Sequence, residues 1–288
     1  MSDIFIHGAS AFTDAANEDT NQLKKKLSRC TPDNFRRVNR FILLTLLGAR
    51  QCIHEHSLDP DTAVYLTTEH GNLGETAQVL DEIYLAHSLP KPFGFINTMS
   101  NTAAFYLAQS LGIRGRNIIV SSQHLSFERG MELVRTDFAG GVEKNALIGG
   151  VDEAALSQMF MEGQGGRGWQ MVDGSGWLYV KTEKDGAVGT IKEIRSFRDS
   201  ASCMMWVRER APVDVVSFGA LIDDYEAAKL RRVLQPAAEF DYLSEYGYSG
   251  SSTACGVSLF IRLFTGKTLL HINKDWRGHY AVIEVKRY

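Results

Sequence analysis

The strongest constraint on this chain is an alternation of helical and strand periodicities that runs through residues 36–153. Between residues 36 and 56 the apolar positions Val38, Phe41, Ile42, Leu46, Ala49 and Ile53 recur at three- and four-residue steps. That spacing predicts an amphipathic helix whose polar face carries Arg36, Arg40 and Arg50. A β-rich run at 62–67 follows, then the turn Glu69-His70-Gly71-Asn72 and a second helical stretch over 73–87. Further on come a helix over 99–111, a strand at 117–121, a helix from residue 126, and a strand at 146–149 that opens the motif Gly149-Gly150-Val151-Asp152-Glu153. Alternation of this kind builds a layered α/β protein with a largely buried sheet.

From residue 175 the texture changes. Residues 175–182 and 188–197 have a period of two on either side of Lys184-Asp185-Gly186, which predicts an antiparallel hairpin. A strand at 213–218, helices at 224–234 and 253–264, and a closing pair of strands at 268–273 and 280–286 complete the pattern. The chain therefore divides near Lys184 into two α/β halves, residues 1–184 and 185–288. No Pro- or Ser-rich linker separates them, so they are expected to pack as one unit, and the Gly-containing stretch 163–176 reads as a surface loop.

Composition narrows the function classes. With 31 Lys+Arg against 34 Asp+Glu, the 288 residues carry a formal charge of -3 and no block of like charge, which argues against nucleic acid as a partner. The longest strongly apolar run, residues 41–49, is well short of the roughly 20 residues that cross a bilayer. The first ten residues lack the features of a signal peptide, so a cytoplasmic location with reduced thiols is expected. Cys30, Cys52, Cys203 and Cys255 are scattered, with neither a disulfide framework nor a zinc spacing.

Residues 92–153 resemble the first half of a β-ketoacyl synthase of the thiolase fold, in order and in spacing. An Asn-containing helix from Asn97 leads to the turn Gly112-Ile113-Arg114-Gly115-Arg116-Asn117. A strand then runs into the position of the nucleophile elbow, a helix follows, and the next strand ends in the Gly149-Gly150 motif. Asp173-Gly174-Ser175-Gly176, residues 213–226, residues 249–256 and residues 278–286 are similar to later motifs of that family, so the resemblance covers most of residues 35–288. It implies a five-layer α/β/α/β/α fold built from two pseudo-symmetric halves, in a compact version, with no cofactor and no metal.

The same resemblance exposes what this chain has changed. A ketosynthase places a Cys at the N-terminus of a buried helix, where the dipole and free N–H groups stabilise the thiolate. Here His124 falls on that position, or Gln123 in the register one residue earlier. The family's two catalytic histidines fall near Phe218 and near Gly250 or Ser251, so the groups that stabilise the enolate during condensation are missing. The resemblance is then to a chain length factor, the catalytically silent subunit that pairs with an active ketosynthase and shapes its acyl tunnel. Polyketide systems of the aryl polyene type use short partners of this kind, acting on an acyl carrier protein. His124, Phe127 and Phe105 are candidates for lining the occluded site.

Other readings stay open at this point. Cys255, in Thr253-Ala254-Cys255-Gly256, or His124 can be the nucleophile of an independent acyltransferase or thioesterase, and a homodimeric acyl-binding protein is a third class. At a helix N-terminus with no base in view, His124 is expected to be neutral. His54-Glu55-His56 reads as a solvated helix end. Asp223 and Asp224 with Glu226 read as a helix cap.

Overall fold

A computed structural model describes residues 3–15, 19–33, 35–154 and 168–288. Ten strands form one sheet in the order β3-β2-β4-β5-β1-β6-β10-β9-β7-β8. The first five are β1 (Ile4–Ala15), β2 (Ala63–Thr67), β3 (Asn117–Val120), β4 (Asn145–Asp152) and β5 (Val172–Lys181). The second five are β6 (Gly189–Phe197), β7 (Val215–Phe218), β8 (Ala238–Glu239), β9 (Thr268–Lys274) and β10 (Tyr280–Arg287). Counted within its own half, each set of five is ordered 3-2-4-5-1, with the three outer strands parallel and the two inner ones antiparallel. The halves meet where β1 pairs antiparallel with β6 through Ile4, Phe5 and Ile6.

Ten helices cover this sheet among the described residues: α1 (Asn21–Leu27), α2 (Arg40–Cys52), α3 (Leu73–Tyr84), α4 (Pro92–Asn97), α5 (Ser100–Leu111), α6 (Ser126–Ala139), α7 (Ser200–Arg208), α8 (Asp224–Leu234), α9 (Tyr242–Tyr246) and α10 (Ser252–Leu263). Alternation of side chains along each strand sorts them into layers. Trp177 and Tyr179 of β5 face α1, α2 and α5, while Leu178 and Val180 face α6 and α10. Across that middle layer, Val215, Leu269 and Ile283 of the second half join the same cluster, and Val216, Ile272 and Val282 turn outward beneath α7 and α8. The layers therefore run α/β/α/β/α, as the resemblance implies.

Most of the expected elements form, and the exceptions have identifiable causes. The hairpin expected around Lys184 does not exist, because β1 lies between β5 and β6 and pairs with both. Nor does β5 alternate in burial, since helices cover both its faces. The loop expected over 163–176 has its beginning outside the described residues, and from Val172 onward it is strand. α2 is not amphipathic in the expected way: ten of its thirteen residues are buried. Arg40 turns inward, donating from Nε to Asp173 Oδ2 at 2.8 Å and pairing with the same oxygen through Nη2. Asp173 is fully buried and also accepts from the Ala154 amide at 3.0 Å, so the pair fastens the start of α2 to the starts of β5 and to the segment leaving β4. Gly150 is needed because a Cβ there would lie 2.7 Å from that of Ala254 on the middle-layer helix α10 and 3.2 Å from Thr67 Oγ1 on the neighbouring strand β2. The expected cap at 223–226 is a capping box: Asp223 accepts from the Glu226 amide at 2.8 Å, and Glu226 accepts in return.

Replacing Asp173 by Ala would remove the buried carboxylate that faces the Arg40 guanidinium. We expect a loss of about 3–5 kcal/mol in urea unfolding followed by circular dichroism, the cost of breaking a buried pair from one side. A loss below about 1 kcal/mol would mean that the pair behaves as a surface bridge.

Candidate functional site

The parallel strands of both halves end at one place, at the N-termini of α6 and α10, where α/β sheets build their sites. After β3 the chain turns sharply before α6, and the apex is Gln123, whose φ of 52° is left-handed. Ser126 holds the turn, accepting from the Ser122 amide at 2.9 Å and donating to the Gln123 carbonyl at 2.6 Å. Strained backbone thus sits at Gln123, one residue before His124. The Gln123 side chain is exposed and accepts from the Trp276 indole N–H.

His124 is partly buried, with Nδ1 3.0 Å from Glu69 Oε1. Burial works against its charged form, but the hydrogen bond and charge of Glu69, aided by Asp275 and Glu128, outweigh it and raise its pKa above the usual imidazole value. The expected neutral histidine with no base behind it is therefore corrected: Glu69, carried on the turn after β2, is that base. Sequence reasoning missed the pair because 55 positions separate its members; the signal was a Glu-His at the carboxyl end of a parallel strand.

The two other positions are filled by structure. Gly250 is pressed against the N-terminal half, where a Cβ would lie 2.7 Å from that of Glu69 and 2.9 Å from Asp152 Oδ2, so no histidine fits there. Phe218 ends β7 and packs outward into the cluster with Trp206 and Leu230, the Arg231 guanidinium 5.5 Å from its ring centre. What remains is a hollow of about 20 Å³ bounded by His124, Leu221, Tyr242, Tyr248, Gly250 and Asn273, room for about one water molecule. Of the residues expected to line the site, His124 borders the hollow, together with Gly250, where a catalytic histidine of the family was placed. Phe127 is buried in the middle-layer core and Phe105 is 60% exposed on α5; neither lines it.

Behind the hollow lies a dry polar network. Asn273 Nδ2 lies within 2.8 Å of both Glu128 Oε1 and the His124 carbonyl. Burial pushes the Glu128 carboxyl up to about 7 against the Asn273 hydrogen bond, and pushes His271 down to about 3. His271 is neutral, so its 3.8 Å approach to Glu128 is not an ion pair; its ring nitrogens meet Ser217 at 2.9 Å and Thr253 at 3.3 Å. Asp152, fully buried, is likewise pushed up to about 7, opposed by the Glu69 and His70 amides and the Thr68 hydroxyl that it accepts from. No thiol is available as a nucleophile here: Cys255 is 3% exposed inside α10, and burial raises it to about 12, so it presents no thiolate at neutral pH.

Residues 6–172 match the family described as "Beta-ketoacyl synthase, N-terminal domain". The chain belongs to the β-ketoacyl synthase family. None of the curated proteins compared with this family member matches it. Among solved structures, "The ishigamide ketosynthase/chain length factor" superposes with a TM-score of 0.73 at 15% identity, over 99% of both chains. A type II acyl-carrier protein complex with its ketosynthase bound to the hexaketide gives 0.72 at 11% identity, over 100% of this chain and 99% of that one. A ketosynthase from module 6 of the bacillaene synthase of Bacillus subtilis 168 gives 0.69 at 15%, over 99% of this chain and 72% of that one. At these identities the likeness is one of fold, and the thiolase-type layering of this ketosynthase-family chain stands on it.

The buried carboxyls set a pH dependence. Glu128 and Asp152 keep their protons to about pH 7 in the folded chain and lose them near pH 4 when unfolded, so the native state binds more protons over that range and stability falls as pH rises through it. His124, raised by Glu69, acts in the same sense: its contribution is complete below its unfolded value and is lost as pH passes its folded one. His271 opposes them only below its unfolded value of about 6.5. The melting temperature should therefore fall between pH 6.5 and 8, and Glu128→Gln should flatten the slope. An unchanged slope in that variant would mean that Glu128 is ionised throughout.

Proposed function

We propose that this chain is a non-catalytic, chain-length-factor-like subunit that pairs with an active β-ketoacyl-carrier-protein synthase in the cytoplasm and shapes its acyl tunnel during polyketide-type elongation. Aryl polyene systems are the type it resembles. The observation that carries this reading is the packed site: the turn where a ketosynthase holds its Cys presents Gln123 and His124, Gly250 has no room for a side chain, and the hollow has a volume of about 20 Å³. An acyl chain does not fit in that volume, and no thiolate is at hand to receive one.

The surface supports a partner. β3 is an edge strand with half-exposed Ile118, Ile119 and Val120, and its outer backbone groups have no strand to pair with among the described residues. Apolar side chains gather in the neighbouring segment: Tyr84 and Leu85 at the end of α3, Leu89 beyond it at 94% exposure, Phe95 on α4 and Phe105 on α5. Large apolar patches on a folded chain mark interaction surfaces, and an open strand edge adds backbone hydrogen bonds to such a contact. Phe105 then lines the partner's tunnel from across the interface and not this chain's own hollow. Two of the similar solved structures, that of the ishigamide system and that of "PfaC", name the two kinds of subunit together.

Co-expression with a Cys-bearing ketosynthase from the same source should yield a one-to-one complex, while the chain alone should leave malonyl- and acyl-loaded carrier protein unchanged by mass spectrometry. Turnover by the chain alone would overturn the reading. Phe105→Glu should weaken the complex at least about tenfold by sedimentation, with an unchanged melting temperature, because it places an unpaired charge in a desolvated contact.

A further inference from the structure

α2 and α10 both begin at the site and run away from it, and at about 1.5 Å per residue the thirteen residues of α2 carry the chain about 20 Å to the far side of the sheet. There, between the C-terminal ends of the two helices, lies a second and much larger cavity of about 290 Å³. Its walls include Arg262 of α10, Arg287 of β10 and His56 from the segment after α2. The sequence reading took His54-Glu55-His56 for a solvated helix end; all three residues border this cavity, and His56 packs its ring 5.4 Å from that of Tyr179.

The cations here are not neutralised by the protein. Neither Arg262 nor Arg287 takes part in an ion pair among the described residues, and the one acidic side chain on the wall, Glu55, is exposed. Arg287 donates Nη1 to the Val188 carbonyl, but its Nε–H is buried with no acceptor. A buried charged donor left without an acceptor loses the full cost of its desolvation. Arg262 lies in the last turn of α10, where a cation suits the helix dipole, yet it donates no hydrogen bond to the terminal carbonyls among the described residues. His7 also borders the cavity, with its Nε2 engaged by the Glu183 carbonyl at 2.9 Å, so the charge comes from the arginines.

We propose that this cavity binds a phosphate monoester with a short apolar substituent. Phosphate oxygens pair with guanidinium N–H groups in charge-assisted hydrogen bonds, and Arg262 and Arg287, neither held by a carboxylate among the described residues, border the cavity together. Ala9, Val188 and Ile261 give the remaining wall an apolar surface for the substituent. The site shares no residue with the hollow at His124, so the inference holds whether or not the chain pairs with a ketosynthase.

The test is isothermal titration of the full chain at low salt, in phosphate-free buffer, with n-butyl phosphate and with inorganic phosphate. Butyl phosphate should bind saturably, one per chain, and more tightly than inorganic phosphate. Arg262→Gln, at an exposed position, should keep the melting temperature and weaken binding about tenfold, the effect of one charge-assisted hydrogen bond. Arg208→Gln, a charge removed elsewhere on the surface, should leave binding unchanged. Absence of saturable binding, equal affinity for the two anions, or an equal loss in Arg208→Gln would each overturn the proposal.

Discussion

The antiparallel pairing of β1 with both β5 and β6 is the joint on which the structure depends. Each half alone is a five-stranded sheet with an open edge at its first strand. Pairing those first strands removes both edges and brings the inner faces of the two halves around a shared layer. Helices fill that layer, which is why α10 has ten of its twelve residues buried and why α6 carries a fully buried carboxyl, Glu128. The site follows from the same geometry. Parallel strands of both halves end at the N-termini of α6 and α10, so whatever chemistry the chain has or lacks is placed between the halves.

That placement explains how the space at the site is filled. Removing a nucleophile and two histidines from a deep pocket would leave a void, and voids in a packed interior cost stability. Here the space is taken up from both sides: Gly250 brings its segment against Glu69 and Asp152, Leu221 and Tyr242 close the hollow, and Asn273 ties β9 to the carbonyl of His124. The polar groups that remain are tolerated because they are neutral or paired. Glu128 and Asp152 are held near 7 by burial, His271 is kept neutral, and His124, whose pKa is raised, faces Glu69. The result behaves as core with a polar interior and not as a pocket awaiting a ligand.

The order of elements was legible in the sequence because period and length separate helices from strands in a layered α/β chain. β1 was not, because its segment mixes Gly8, Ser10 and Ala11 with few large apolar residues and draws its place from two partners about 170 positions away. Without it, β5 and β6 look like neighbours and invite a hairpin. Arg40 misled for a related reason: periodicity reports which face is apolar, but a buried arginine is decided by its partner, Asp173, far along the chain. The resemblance pointed to the turn at Gln123 and His124 as a place to look, whereas the Glu69–His124 pair and the filling of the hollow arise only from tertiary packing.

The two ends of the sheet have been treated differently, and the difference bears on what the body of this protein is for. At one end β8 is only two residues long, both exposed, one of them Glu239, with Pro236 just before it; a strand so short and charged offers little to a passing chain. At the other end β3 presents three successive half-exposed β-branched residues with no Pro or charge among them. The two strands hold the same place in the topology of their halves, so pseudo-symmetry alone would finish them alike. One has been blunted and the other left open among the described residues, next to α5 with its exposed Phe105. An open edge of this kind is costly to keep bare, and under the proposed pairing with a ketosynthase it is the contact that the topology favours.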